Sequence, residues 1–169
     1  MNEIREGELL VGFPAGASAR KFDGPDHGLS HCMKAVDIVI EEGDDLILLE
    51  VKDFDQTAAR SRSAPAADAR LERDVWAWIG KFRDSLLYLW AEERCGRHRG
   101  CYVVLECRSL DRALRMHLQE LFERCLPAFS RLPRSVVNEW KRIPVHRCAV
   151  LDVKEWNRRM SRFPIRRSP

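Results

Sequence analysis

Residues 35–52 hold two apolar runs separated by an acidic turn, and this stretch has the fewest ways to fold. The first run is Ala35-Val36-Asp37-Ile38-Val39-Ile40. The turn is Glu41-Glu42-Gly43-Asp44-Asp45, and the second run is Leu46-Ile47-Leu48-Leu49-Glu50-Val51-Lys52. Short runs of Val, Ile and Leu bounded by a turn predict strands. Apolar residues on both faces predict that the strands lie in the middle of a covered sheet. Gly43 can take the positive φ that a tight connection needs, so the pair predicts a hairpin. Asp37, Glu50 and Lys52 interrupt the apolar pattern. Charges are seldom buried unless they pair or hold a metal. Glu50 and Lys52 are two residues apart and so share one face of their strand. A hairpin brings Asp37 beside them. Two carboxylates and an ammonium at the end of a buried hairpin suit a hard divalent cation.

The rest of the chain extends this core. Residues 8–13 predict a short first strand, and residues 14–30, with Pro14, Gly16, Gly24, Pro25 and Gly28, read as loop. Glu3, Glu6, Glu8, Asp23 and Asp26 lie upstream of the hairpin, and any of them can supply a further acid. His27 and His31 have the spacing of a helical metal pair, but the Pro and Gly around them argue against a helix. Residues 55–70, rich in Ala, Ser and Arg, read as a mobile loop. Residues 71–94 carry apolar residues at spacings of three and four and predict a long helix. In this reading Trp76 and Trp90 fill the core. Residues 101–107 predict a buried strand, and 111–129 a helix capped by Ser109 or Asp111. Residues 147–153 predict another strand, 154–160 a short helix, and the remainder a basic tail. The order predicts a single α/β domain over residues 1–169, with a mixed central sheet flanked by helices.

Asp37 followed by Glu50-Val51-Lys52 resembles the PD-(D/E)xK nuclease superfamily, in which an acid on one core strand precedes a (D/E)-x-K triplet on the next strand of a hairpin. The resemblance covers roughly residues 34–107. It implies a restriction-endonuclease-like core and Mg²⁺- or Mn²⁺-dependent hydrolysis of phosphodiester bonds, in a setting such as restriction or phage defence. It also implies catalytic roles for Asp37, Glu50 and Lys52, with metal ligands from Asp37, Glu50 and the Val51 carbonyl. Other family members carry an additional acid on a helix before the hairpin; here that region reads as loop. A second pairing, Glu139 with Asp152-Val153-Lys154, repeats the thirteen-residue separation of Asp37 and Glu50. It lacks a Gly-containing turn and has Pro144 in between, so it does not predict a hairpin.

Charge placement points the same way. Residues 1–57 carry 5 Lys+Arg against 13 Asp+Glu, a balance of −8, whereas residues 58–169 carry 24 against 13, a balance of +11. An acidic segment suited to cations adjoins a basic remainder suited to polyanions. The expected partner is nucleic acid, DNA in the first instance. Candidate phosphate contacts are Lys81 and Arg83 on the long helix, Arg60 and Arg62 in the loop, and the arginines of the tail. Such a short chain offers little surface for selecting a sequence, which suggests a homodimer or a subunit of a larger complex. The main alternative is a catalytically inactive protein of the same fold that binds nucleic acid or a protein partner. No apolar run has the length of a membrane span, and the acidic start lacks a secretory pattern. The expected location is therefore the cytoplasm, with the six cysteines as reduced thiols.

Overall fold

The computed structural model describes residues 1–24, 31–54, 64–96, 98–107, 111–128 and 131–169, with only the backbone of 64–70. The expected hairpin forms its centre. Strand β4 (Ile38–Glu42) pairs antiparallel with β5 (Asp45–Asp53), and Glu42 and Asp45 are register partners across Gly43-Asp44. Gly43 takes φ +57°, the left-handed conformation that a side chain would disfavour. Strand β3 (Ser18–Lys21) flanks β4 antiparallel. On the other side β6 (His98–Glu106) and β7 (Arg147–Asp152) continue the sheet in parallel. The result is a five-stranded mixed sheet in the order β3-β4-β5-β6-β7.

The two faces of this sheet are covered differently. Helix α1 (Ala64–Ala91) lies on one face together with α2 (Arg112–Cys125). Leu71, Val75, Trp78, Phe82 and Leu89 of α1 pack on Val39, Leu46 and Leu48. Phe82 meets Phe122 of α2 edge to face at 5.2 Å. The other face meets a small antiparallel sheet in the order β1-β2-β8, formed by Asn2–Glu6, Leu9–Phe13 and Ile165–Arg167. Helix α4 (Val153–Arg159) joins it there, and its Trp156 is fully buried against Tyr102. Alternation along β5 sends Leu46 and Leu48 to the helical side and Ile47, Leu49 and Val51 to the small-sheet side.

Several expectations need correction. Residues 64–70, read as loop, are the opening turns of α1; residues 55–63 lie outside the described residues. Residues 14–30 contain strand β3, and β1 precedes the first expected strand. A short helix, α3 (Arg134–Glu139), occupies part of the Pro-flanked segment. Trp76 and Trp90 are 55% and 41% exposed, while Trp78 and Trp156 fill the core. Both exposed indoles lie off the Leu71-Val75-Trp78-Phe82 stripe that meets the sheet. The C-terminal arginines are paired with acids: Arg162 with Glu42, Arg166 with Glu3 and Arg167 with Asp53. Asp111 is the cap of α2, its carboxylate accepting from Leu114 N at 2.7 Å. Asp152 caps α4 in the same way, which accounts for the second acid–x–Lys triplet as a helix start. Cys101 and Cys148 are register partners on β6 and β7 and both remain thiols; burial pushes the Cys148 thiol up to about 12. No helix among the described residues is long and apolar enough to cross a membrane.

Candidate metal centre

The cluster begins where β4 stops and β5 continues. Ile38, the first residue of β4, is the register partner of Leu49, so Asp37 stands just beyond the ladder, opposite Glu50. The next backbone donor of β5 has no strand residue to bond on that side. Asp37 replaces it: its Oδ2 accepts from Val51 N at 2.9 Å, while its own backbone N–H donates to Glu50 Oε2 at 3.3 Å. In an extended strand the N–H and C=O of one residue point the same way, so the Val51 carbonyl faces this gap too.

The approach to Asp37 is fixed by α1. Ser85 is buried, and its Oγ accepts from Val36 N at 3.0 Å. Asp84 Oδ2 accepts from Lys34 N at 2.9 Å. Lys81 lies one helical turn before Asp84 and Ser85, on the same side, and reaches the carboxylates directly. Its Nζ is 3.0 Å from Asp37 Oδ1 and 2.7 Å from Glu50 Oε1. Lys52 Nζ is 3.0 Å from Asp37 Oδ2 and 2.7 Å from Glu50 Oε1. Two buried carboxylates are thus bridged twice, by ammonium groups that remain about a quarter exposed.

The electrostatics follow from this packing. Burial alone would raise the Asp37 pKa, but Lys52, Lys81 and the Val51 N–H together hold it below its ordinary value. Burial pushes Glu50 up, the Asp37 charge adds to this, and the two lysines offset only part, leaving it at about 7. Burial would lower both lysines; the facing carboxylates outweigh it and raise them above their ordinary value. Lys52 and Lys81 are therefore firmly cationic, and neither is a base in this arrangement.

A second group of acids meets Asp37. Carboxylate oxygens of Glu6, at the end of β1, and Asp23, after β3, lie with one from Asp37 all within 4.8 Å of one another. Opposed oxygens around a Mg²⁺ ion are about 4.2 Å apart, so a small closure suffices. Glu6 Oε2 is buried and ion-paired with Lys21 Nζ at 3.1 Å. Three hard carboxylate oxygens this close together, with the Lys21 ammonium beside one of them, suit a divalent cation.

Asp37, Glu50, Lys52 and Val51 therefore converge as the sequence predicts. Lys81, expected as a phosphate contact, belongs to the carboxylate cluster. Arg83 points elsewhere: its guanidinium donates to Cys125 O at 2.6 Å, tying α1 to the end of α2. Arg60 and Arg62 lie outside the described residues. Sequence reasoning named Glu6 and Asp23 only among several possible acids. A polar residue on an otherwise apolar heptad stripe, Leu71-Val75-Trp78-Phe82-Ser85-Leu89, was the available sign that α1 serves the site. The chain matches no protein-family model, no curated protein and no solved structure.

Proposed function

We propose that this chain is a divalent-metal-dependent endonuclease with a restriction-endonuclease-like core, hydrolysing phosphodiester bonds of DNA. A role in restriction or phage defence is the setting such an activity suggests. One observation carries the reading: Asp37, Glu50 and Lys52 meet at the point where β5 outruns β4, with carboxylate oxygens of Glu6 and Asp23 close to that of Asp37. Such buried charge gives little net stability, so it is better explained by chemistry than by folding.

Asp37, Glu6 and Asp23 would hold Mg²⁺ or Mn²⁺, with Glu50 and the Val51 carbonyl as further oxygen ligands. When bound, the ion would acidify a water and polarise a phosphoryl oxygen. Lys52 remains protonated and donates to the negative charge that grows on the phosphate. Lys81 bridges the same carboxylate oxygens that would contact a cation between Asp37 and Glu50. A cation held there would compete with its ammonium, which would then be available to a phosphate. The basic remainder of the chain supplies long-range attraction for a polyanion.

The double lysine bridge also favours a second reading, in which the cluster is already neutralised and the chain binds nucleic acid or a partner protein without cutting. Nicking of supercoiled plasmid with Mg²⁺ or Mn²⁺ separates the two. Hydrolysis is expected to vanish in Asp37→Asn and to fall roughly 100-fold or more in Lys52→Ala. Nicking that survives both substitutions, or wild-type binding without nicking in either metal, rejects the nuclease reading.

A further inference from the structure

A recess of about 960 Å³ lies at the opposite end of the sheet from the carboxylate cluster. It is bounded by the end of α1, the start of β6 and the segment between α3 and β7. The register pair Asp45–His98 marks that end of β5, whereas Glu50 lies five residues further on, roughly 16 Å along the strand.

Arg99 forms the back of this recess and is 4% exposed. Its Nε donates to Pro144 O at 2.9 Å, and its two terminal nitrogens donate to the Gly96 and Ile143 carbonyls. Three of its five N–H bonds are thereby used. Carbonyls satisfy hydrogen bonds but do not cancel charge, and no carboxylate pairs with Arg99 among the described residues. A buried cation without a counter-ion is costly. Burial pushes its pKa below the ordinary value, the Cys95 thiol offsets part of this, and the Arg142 charge adds to it.

The mouth of the recess adds more positive charge and a flat surface. The Arg99 and Arg142 guanidinium carbons lie 6.0 Å and 5.7 Å from the centre of the Trp90 ring, so one indole holds both cations in place. Lys141 and Arg142 are exposed and make no ion pair among the described residues. A shallower hollow of about 440 Å³ continues the recess along Lys141 and Arg142 to Trp140, which is 42% exposed. Glu93 and Glu139 also line these hollows; both are exposed and neither pairs with the three cations. The balance remains positive, and the partly offset charge leaves the indole a share in recognition.

We propose that this recess binds a nucleotide phosphate, with Arg99, Lys141 and Arg142 as the anion site and the Trp140 indole as the surface on which the attached base stacks. A guanidinium fixed by its own carbonyl contacts, flanked by the exposed Lys141 and Arg142 cations, matches the geometry of phosphate recognition. An exposed indole beside it matches a base of any identity. The ligand is either a free nucleotide or the terminal nucleotide of a strand. The site stands apart from the carboxylate cluster and does not depend on the nuclease reading.

Calorimetric titration of the full chain, in chelator to prevent cleavage, tests this. The probes are adenosine 5′-monophosphate, adenosine, inorganic phosphate, and a short single strand with and without a 5′-phosphate. The monophosphate is expected to bind saturably, with adenosine and inorganic phosphate each weaker by at least about tenfold. Arg142→Ala and Trp140→Ala, both at exposed positions, are each expected to weaken it about tenfold, while Asp37→Asn leaves it unchanged. Tighter binding of the 5′-phosphorylated strand than of the mononucleotide, lost with the phosphate, identifies a strand end. Equal or weaker binding of that strand identifies a free nucleotide. Absence of saturable binding, or binding that Arg142→Ala and Trp140→Ala leave unchanged, overturns the proposal. Self-association abolished by Trp140→Ala, without nucleotide binding, also overturns it and assigns the face to a second copy of the chain.

Discussion

At the scale of single residues, the four charges of the cluster make opposite demands on pH. The folded Glu50 pKa, about 7, lies above its ordinary value, so the folded chain holds that proton more tightly than the unfolded chain. Its contribution to stability is fully present below the ordinary value and is lost as pH rises through about 7. A metal competes for the same oxygens, so cation affinity moves the other way. Mn²⁺ binding, followed by calorimetry, is expected to strengthen as pH rises through about 7, and Glu50→Gln is expected to remove that dependence. Lys81 gives an independent prediction. Lys81→Met leaves two buried carboxylates with one ammonium and should cost roughly 3 kcal/mol in denaturant unfolding without metal. Added Mn²⁺ should restore much of that loss, because it replaces the missing cation. No recovery with Mn²⁺ would mean that the carboxylates are built for the lysine alone. Asp37, Glu50 and Lys52 were legible because each breaks an apolar strand pattern. Glu6 and Asp23 were not, because they meet Asp37 only through the packing of separate strands.

At the scale of elements, α1 matters for more than its apolar stripe. Its Ser85 and Asp84 accept the backbone N–H groups of Val36 and Lys34, holding the chain where it enters β4 and fixing the direction in which Asp37 leaves it. Ser85→Ala strands the buried Val36 N–H and should cost about 1–3 kcal/mol in chemical denaturation. It should also weaken Mn²⁺ binding although Ser85 is no ligand; unchanged binding would show that Asp37 is positioned by the hairpin alone. The hairpin, β6, β7 and the two longer helices were readable, since each carries enough apolar residues at a period of two or three to four. Strands β1 and β3 were not. Their sequences, Asn-Glu-Ile-Arg-Glu and Ser-Ala-Arg-Lys, place few apolar side chains on either face and are held by pairing with their neighbours. The start of α1 was obscured by an Ala- and Arg-rich composition that carries no apolar stripe.

At the scale of the whole molecule, one sheet separates two apolar layers, and the C-terminal segment belongs to the second of them. Strand β8 is clasped by Asn157, whose side chain accepts from Ile165 N at 2.7 Å and donates to Ile165 O at 2.8 Å. Trp156 ties this layer to the central sheet through Tyr102, while its Nε1–H donates to Phe163 O and holds α4 against the segment leading into β8. Trp156→Ala should cost about 3–5 kcal/mol, seen as a single shifted unfolding transition. Two separate transitions would contradict a common core. The acidic and basic halves read from the sequence are brought together by this architecture, with tail arginines laid against Glu3, Glu42 and Asp53. The acidic part then surrounds Asp37, while the recess of about 960 Å³ around Arg99 is formed by the basic part. The most direct test of the account is the anomalous diffraction of Mn²⁺ in crystals of the chain. A peak within about 2.1–2.3 Å of an Asp37 carboxylate oxygen, with Glu6, Asp23 or Glu50 completing the set, is the predicted result. A map with no peak at Asp37, and with Lys81 still bridging Asp37 and Glu50 at saturating Mn²⁺, would contradict it.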